Sequence, residues 1–469
     1  MTTKNTNRNI AAESISLSLQ HMKEVTPELY LPIRNELISQ RNSLKLIASE
    51  NYSSYSIQIA QGNFLTDKYA EGYPSHRFYA GCENIDTIEN DAIKKAQELF
   101  GCDYACVQPH SGSDANLLAM WSVIISSIQP EYLEKLGVKK VEELSPDQFE
   151  QLRQKMLNTK LLAMSLNSGG HLTHGYVHNI SSKFMKAYQY DVSKETGFID
   201  YDVIAEAAAR IKPLILLAGY SSYPRNLDFS ILRDIAKRNG AILMVDMAHF
   251  AGLVAGGVLK DELNPIPYAD IVTSTTHKSL RGPRGGLVMC KSNLAPWVKK
   301  ACPMVMGGPL PHVIAAKSIC FKEALDPSFS KYAHQCVRNA RALSQSLKDN
   351  NINLVTSGTD NYIVVIDLTE TNVTGRSVET HLSSIGIFAN RNSIPFDQRN
   401  PWTTSGLRVG TPALTSRGFM EKQFEQIGNL ISDVIKSIAE NKFDEKKTEF
   451  LNTVQSLTRE FPLYPEIDC

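Results

Sequence analysis

Three short, almost wholly apolar runs constrain this chain more than anything else in it: LLAMSL at 161–166, PLILLAG at 213–219 and AILMVD at 241–246. Each is too short for a core helix and lacks the alternation of a strand with one wet face. Each therefore reads as a strand buried on both faces. Between the second and third lies DFSILRDIAKRNG, which has helical spacing and closes on Gly240, a helix-stop residue. Strand, loop and helix in succession predict an α/β fold, a mainly parallel sheet with helices on both faces. Ligands of such sheets bind beyond the carboxyl ends of the strands. Here those ends carry Asn167-Ser168-Gly169-Gly170-His171, Tyr220-Ser221-Ser222 and Met247-Ala248-His249.

A fourth run, ADIVTST at 269–275, continues through Thr276 and His277 to Lys278. It then breaks into Arg281-Gly282-Pro283-Arg284-Gly285-Gly286, a tight irregular loop. A lone lysine in this place reads as an ordinary surface residue. Held in dry surroundings near other cations, it loses its proton more easily and becomes suited to Schiff-base chemistry with an aldehyde cofactor.

Several groups complement that lysine. Asp246 ends the strand AILMVD, where an acid could keep a pyridine nitrogen protonated or could simply cap a helix. Ser111-Gly112-Ser113 opens an apolar helix and offers hydroxyls and amides to an anion, though it also reads as a plain N-cap. His171 follows two glycines in GGHLTHG and could stack on a flat ring; His174 lies one turn on. A His-x-x-His pair also suits a metal, but the sequence offers no third ligand. Arg408, flanked by glycine in SGLRVG, could fork onto a carboxylate, whereas Arg284 is placed to hold the loop or tune Lys278. Glu71, between Tyr69 and Tyr73 and near Tyr79, is a candidate for proton transfer.

The chain has 469 residues, enough for two domains. The divisions expected are a helical arm at 1–60, a large domain at 61–325 and a smaller α+β domain at 326–469. The arm is helical over 13–45 and ends in a loop at 46–54. Residues 61–83 form an irregular aromatic segment, and a helix runs from about 86 to 100. A charged segment at 131–158 reads as a surface helical hairpin inserted in the large domain. In the last domain, 361–368 is a strand, 377–387 a helix, 405–418 a short strand and turn, and 419–440 a long helix.

Lys+Arg and Asp+Glu number 49 each, which gives no support for nucleic-acid or polybasic membrane binding. No run has the length of a membrane span, and the polar N-terminus lacks a secretory signal's apolar core. The eight cysteines include a CxxxC at Cys102 and Cys106 but no second pair to complete a zinc site. Free thiols in a reducing cytoplasm are expected.

The strings LIASEN, KYAEGYP, HSGSDAN, GGHLTHG, VDMAHFAGLVA, TTHKSLRGPRGG, SGTDNY and SGLRVGTPA, in this order, are similar to those of the serine hydroxymethyltransferase family. The resemblance covers nearly the full length. It implies a fold type I pyridoxal-phosphate enzyme, with an aspartate aminotransferase-like, seven-stranded sheet. Carried onto this sequence, Lys278 would hold pyridoxal 5'-phosphate covalently, Asp246 its ring nitrogen and His171 its ring face. Ser111, Gly112 and Ser113 would bind the phosphate, with Ser221, His249 and Thr275 around the ring. Arg408 would take the amino-acid carboxylate beside Ser49, with Leu166 and Gly170 on the substrate side. Tyr69, Glu71, Tyr79, Gly307 and Gly308 would enter from a neighbouring subunit of a homodimer, and Glu71 and Asn392 would meet folate.

The implied reaction moves the hydroxymethyl group of serine to tetrahydrofolate, giving glycine and 5,10-methylenetetrahydrofolate. Another pyridoxal-phosphate enzyme on small amino acids, a threonine aldolase or racemase, would share Lys278 and Asp246 without needing folate. The chain departs from the family pattern at the 131–158 insertion, at Phe78, where RFY stands for RYY, and in the loop CPMVMGGP at 302–309.

Overall fold

The computed structural model describes residues 9–468. Its largest sheet has seven strands: β1 (Tyr104–Cys106), β2 (Lys160–Met164), β3 (Lys186–Tyr190), β4 (Ile215–Gly219), β5 (Ile242–Asp246), β6 (Ile271–Thr275) and β7 (Gly286–Cys290). Their order is β1-β7-β6-β5-β4-β2-β3. All neighbours are parallel except β7, which runs against both β1 and β6. The three apolar runs are β2, β4 and β5, as expected. Their burial is two-sided. Leu162, Met164, Leu216, Ala218, Leu243 and Val245 point into one core, while Leu161, Ala163, Ile215, Leu217 and Met244 point into another.

Helices cover both faces. The first core is closed by Glu83–Phe100, Tyr201–Ile211 and Phe229–Asn239. The second is closed by α1 (Gly112–Leu136), α2 (Pro146–Leu157) and Ala295–Met306. Two more helices, α3 (Pro311–Ala324) and α4 (Pro327–Asp349), lead towards the C-terminal part. There a four-stranded antiparallel sheet forms from β8 (Asn353–Leu354), β9 (Ile363–Asp367), β10 (Asn390–Asn392) and β11 (Gly406–Gly410), in the order β8-β9-β11-β10. It shares a third core with α4, α5 (Glu421–Ala439) and Phe443–Glu460. Leu44 and Leu46 join this core, and Leu44–Lys45 pairs in parallel with Ile387–Phe388.

Several local expectations need correction. Residues 13–45 hold two helices, Ile10–Val25 and Pro27–Arg41, because Pro27 starts a new helix where Thr26 leaves the first. The helix expected to reach 387 ends at Ser384, and Gly386, at a positive φ of 81°, turns the chain into the short strand. After β11 the chain forms a short helix, Pro412–Ser416, instead of a plain turn. Residues 302–306 are the last part of a helix, leaving only Gly307-Gly308-Pro309 as loop.

The hairpin at 131–158 is there, but its first arm is the continuation of α1. Its second, α2, starts on a Ser145–Gln148 capping box and buries Leu152 and Met156 in the second core of the seven-stranded sheet. Cysteines 82, 102, 106, 290, 302, 320 and 336 are free thiols, while Cys469 lies outside the described residues. Among the described residues no helix is long and apolar enough to cross a membrane.

Candidate active site

β6 ends at Thr275, and three residues later the Lys278 amine donates to the Thr275 hydroxyl at 3.1 Å. The lysine backbone is held from the other side, where the Asn51 amide donates to its carbonyl at 2.8 Å. Burial pushes the ammonium down to about 8. The charges of Arg408 and Arg284 push the same way, and Asp246 opposes them. Arg284 is itself exposed, so its share acts from the loop's outer side.

Asp246, at the end of β5, is buried and held by three hydrogen bonds. Its Oδ2 accepts from Asn116 Nδ2 at 2.8 Å and lies 3.1 Å from His174 Nε2, while Oδ1 accepts from the Ala248 amide at 3.0 Å. Burial alone would raise its pKa. The hydrogen bonds and charge around it, led by His174, outweigh burial and hold the carboxyl well below the usual range. His174 Nδ1 accepts from the His171 backbone amide at 3.2 Å, so Nε2 carries the proton given to Asp246.

Asn116 spends its second N–H on the Thr173 hydroxyl at 2.7 Å and accepts from Thr273 at 2.5 Å. Thr173 in turn meets His171 Nδ1 at 2.7 Å; because the Thr173 amide also points at that nitrogen, it is an acceptor. The proton of a neutral His171 is left on Nε2. Burial brings His171 down to about 4, so the neutral ring is the form present near pH 7.

His171, His174 and Asp246 place one ligand atom each within 4.8 Å of one another, so Asp246 supplies the third group that the sequence did not offer for a metal. Within the set only His174 Nε2 and Asp246 Oδ2 bond each other; His174 Nδ1 takes the His171 backbone amide, and His171 Nδ1 is taken up by Thr173. The set is that of a proton-holding chain.

The start of α1 lies against the end of β6. A Cβ on Gly112 would sit 2.6 Å from Thr275 Cγ2, and one on Gly286 would sit 2.1 Å from the Ser111 carbonyl oxygen. Both approaches need glycine. Ser111 caps the helix, its Oγ accepting from the Asp114 amide at 3.1 Å, and Ser113 is exposed. This first turn neighbours Lys278 through Thr275, and its amides could receive an anion. His249 is buried and its Nδ1 lies 2.9 Å from the Tyr362 hydroxyl. Burial, reinforced by Lys278 and Arg408, keeps its pKa far below the ordinary histidine value.

Arg408, on β11, reaches this cluster from the four-stranded sheet. Its Nη1 donates to the Ser221 carbonyl at 2.7 Å and its Nε to Asn390 Oδ1 at 3.1 Å. Among the described residues no carboxylate pairs with it. A half-buried guanidinium without an anion is a site for one. The 46–49 loop packs on the end of the same strand, since the Gly410 amide donates to the Leu46 carbonyl at 2.7 Å; this brings Ser49 to the arginine's strand. Leu166 and Gly170 lie in the turn after β2 that leads to His171, and the Ser221 amide bonds Gly169 within that turn. Asn392, on β10, stands opposite Gly406 and turns its amide to the Ser393 carbonyl; the asparagine that touches Arg408 is Asn390.

Glu71, Tyr69 and Tyr79 do not join the cluster within this chain. The Tyr69 and Tyr79 rings pack edge to face at 4.8 Å and are about half exposed, as is Phe78 beside them. The Tyr69 ring lies against Gly308, whose carbonyl is 3.2 Å from His110 Nε2, and Gly307 is the preceding helix's left-handed stop.

The cluster thus joins a dry lysine, a buried acid held by histidine, a neutral ring, an anion seat and an unpaired arginine at the carboxyl ends of β2, β4, β5 and β6. Residues 22–130 and 148–431 match the family model described as serine hydroxymethyltransferase. The chain belongs to the serine hydroxymethyltransferase family. It is 50% identical to the serine hydroxymethyltransferase of Chlamydia muridarum (strain MoPn / Nigg) and 51% identical to that of Chlamydia trachomatis serovar D, in each case over 98% of this chain and 96% of the relative. The Chlamydia pneumoniae protein of that name is 50% identical over the same shares. The fold is the pyridoxal-phosphate fold type I of this family. The internal stretch between the two matched segments, 131–147, falls within the hairpin that extends α1.

Asn51, Asn116, Thr173, Tyr362 and Asn390 were not singled out from the sequence. Asn51 and Asn116 stand inside the strings LIASEN and HSGSDAN, so the signal was present but chemically silent.

Proposed function

We propose that this chain transfers the hydroxymethyl group of serine to tetrahydrofolate, giving glycine and 5,10-methylenetetrahydrofolate, on pyridoxal 5'-phosphate held covalently by Lys278. The residues fit such a cofactor. Asp246 keeps lone pairs on a carboxylate that stays ionised, the amides at Ser111, Gly112 and Ser113 suit a phosphate, and His171 offers a neutral ring. When bound, the cofactor supplies an electron sink that allows the Cα–Cβ bond of serine to break.

The chain's own residues do the rest. Asp246 would hold a proton at the ring nitrogen, its charge maintained by His174 and Asn116. Thr275 and Lys278 would exchange a proton at Nζ, and His249, Ser221 and Thr275 would border the ring. Arg408 would orient the substrate carboxylate with Ser49, while Leu166 and Gly170 bound the same pocket. Glu71, Tyr69 and Tyr79, with Gly307 and Gly308, would complete the site of a second copy. Glu71 would move a proton near the leaving hydroxyl or folate N5, with Asn392 beside the folate. Support for this exchange is the exposed Tyr69–Tyr79 projection, whose Tyr69 seats on Gly308 of the same chain.

The observation that carries the reading is the dry Lys278 amine set between Thr275, Asp246 and the unpaired Arg408. The test is serine cleavage with and without tetrahydrofolate. Glycine formation that depends on folate and yields methylenetetrahydrofolate is expected. Cleavage of threonine or racemisation of alanine at rates above the folate-dependent reaction would overturn it.

A further inference from the structure

Lys317, on α3, is 1% exposed, and the site described so far does not use it. Its ammonium has three protons and three acceptors: the carbonyls of Val107 at 2.6 Å, Pro109 at 2.9 Å and Gly286 at 2.9 Å. Among the described residues no carboxylate pairs with it, so a cation sits inside the fold on neutral oxygens alone. Burial of that kind is costly unless something nearby profits from the charge. Burial brings its pKa down to about 8.

The three carbonyls are not a random set. Val107 and Pro109 lie on the segment that leads from β1 into Ser111, and Gly286 opens β7. The Gly286 amide also donates to the Pro109 carbonyl at 2.9 Å, so this carbonyl takes both the ammonium and the first amide of β7. The lysine stem passes where only a glycine leaves room, since a Cβ on Gly285 would lie 2.4 Å from Lys317 Cε. The ammonium therefore staples the two chain segments whose approach sets the first turn of α1 against Thr275.

We infer that Lys317 is a positioning residue for the phosphate seat at Ser111–Ser113, and that it supplies a fixed positive charge behind that seat for a phosphate dianion. The inference rests on the pyridoxal-phosphate reading of the site. A group that merely stabilised the fold would affect every ligand of the cleft alike. A group that serves the phosphate affects only ligands that carry one.

The test compares pyridoxal 5'-phosphate with pyridoxal, which has the same ring and aldehyde but no phosphate. Both are titrated into the cofactor-stripped full-length protein and followed by absorbance. Lys317→Met keeps the stem's length and removes the charge and all three donors. It should weaken pyridoxal-phosphate binding by about tenfold to a hundredfold and pyridoxal binding by less than about threefold, on the scale of one lost charge-assisted contact. Lys317→Gln, which keeps two donors without the charge, provides the same ratio should the methionine variant not fold. Equal losses for the two ligands, or no loss for either, would overturn the inference. If the unsubstituted protein itself fails to bind pyridoxal 5'-phosphate, the reading of the whole site fails instead.

Discussion

Lys278 and Arg408 share one physical state, removal from water with no carboxylate of the described residues paired to either. For Lys278 the consequence is a proton released at about 8 instead of near 10.5. Only the neutral amine attacks an aldehyde, so capture of pyridoxal phosphate by the cofactor-free protein should quicken as pH rises through about 8 and level off above it. A midpoint near 10 would show that the amine is solvated. Borohydride reduction of the loaded protein, followed by peptide mapping, should place the pyridoxyl label on Lys278; a label on Lys317 or any other lysine would refute the assignment. For Arg408 the consequence is a charge held by neutral oxygens through Nη1 and Nε, with Nη2 bonded to none of the described residues. Arg408→Lys keeps charge but loses planar bidentate geometry, so serine and glycine affinity should drop by roughly two orders of magnitude, the worth of about 2–4 kcal/mol. The cofactor spectrum should stay as it was. Normal serine saturation in this variant would remove Arg408 from the carboxylate role.

At the scale of the element, α1 has two parts separated by one turn: its first residues form the proposed anion seat, and Asn116 ties Asp246 to Thr173 and Thr273. Asn116→Leu fills the same volume but strands three buried polar partners. A loss of about 2–4 kcal/mol in unfolding free energy is expected, together with weaker cofactor retention. Urea titration and cofactor release measure the two, and a variant as stable as the parent would show that the chain of hydrogen bonds is dispensable. The ties of Asn116 carry no signal in the sequence, because an asparagine inside an apolar helix has no periodic mark.

The same limit explains which elements were legible. β2, β4 and β5 could be read since both of their faces are buried and the apolar run is continuous. β7 was missed because it emerges straight from RGPRGG and returns antiparallel. The ten residues between β6 and β7 are too few for the crossover that a parallel partner needs. β3, KAYQY, was missed because it is an edge strand whose polar residues face water. Lys278, Asp246, His171 and Arg408 could be proposed from the sequence because each stands near a strand end or beside glycine, where local sequence is informative. Lys317 sits in a helix and is marked only by what it touches in three dimensions.

At the scale of the molecule, the cluster around Lys278 and the projection around Glu71 belong to one chain yet do not meet in it. Glu71 makes no side-chain hydrogen bond among the described residues, although the backbone on both sides of it is firmly held. Arg77 donates to the carbonyls of Ala70 and Gly72 at 2.8 and 3.2 Å while paired with the buried Glu89 at 2.6 Å, and Gln108 donates to the Gly72 carbonyl at 2.8 Å. A loop so anchored, with an ionisable side chain and half-exposed tyrosines at its tip, is preorganised to act on something outside its own chain. A second copy is the occupant that the homodimer reading supplies. In that arrangement Lys278→Ala and Glu71→Gln chains are each inactive alone. A mixed dimer holds one site with both residues intact and one with neither. After subunit exchange, verified by mass-tagged chains, activity should recover towards about half per mixed dimer. That fraction follows from one restored site of two. If exchange is complete and activity remains at background, Glu71 serves its own chain, and the projection has some other purpose.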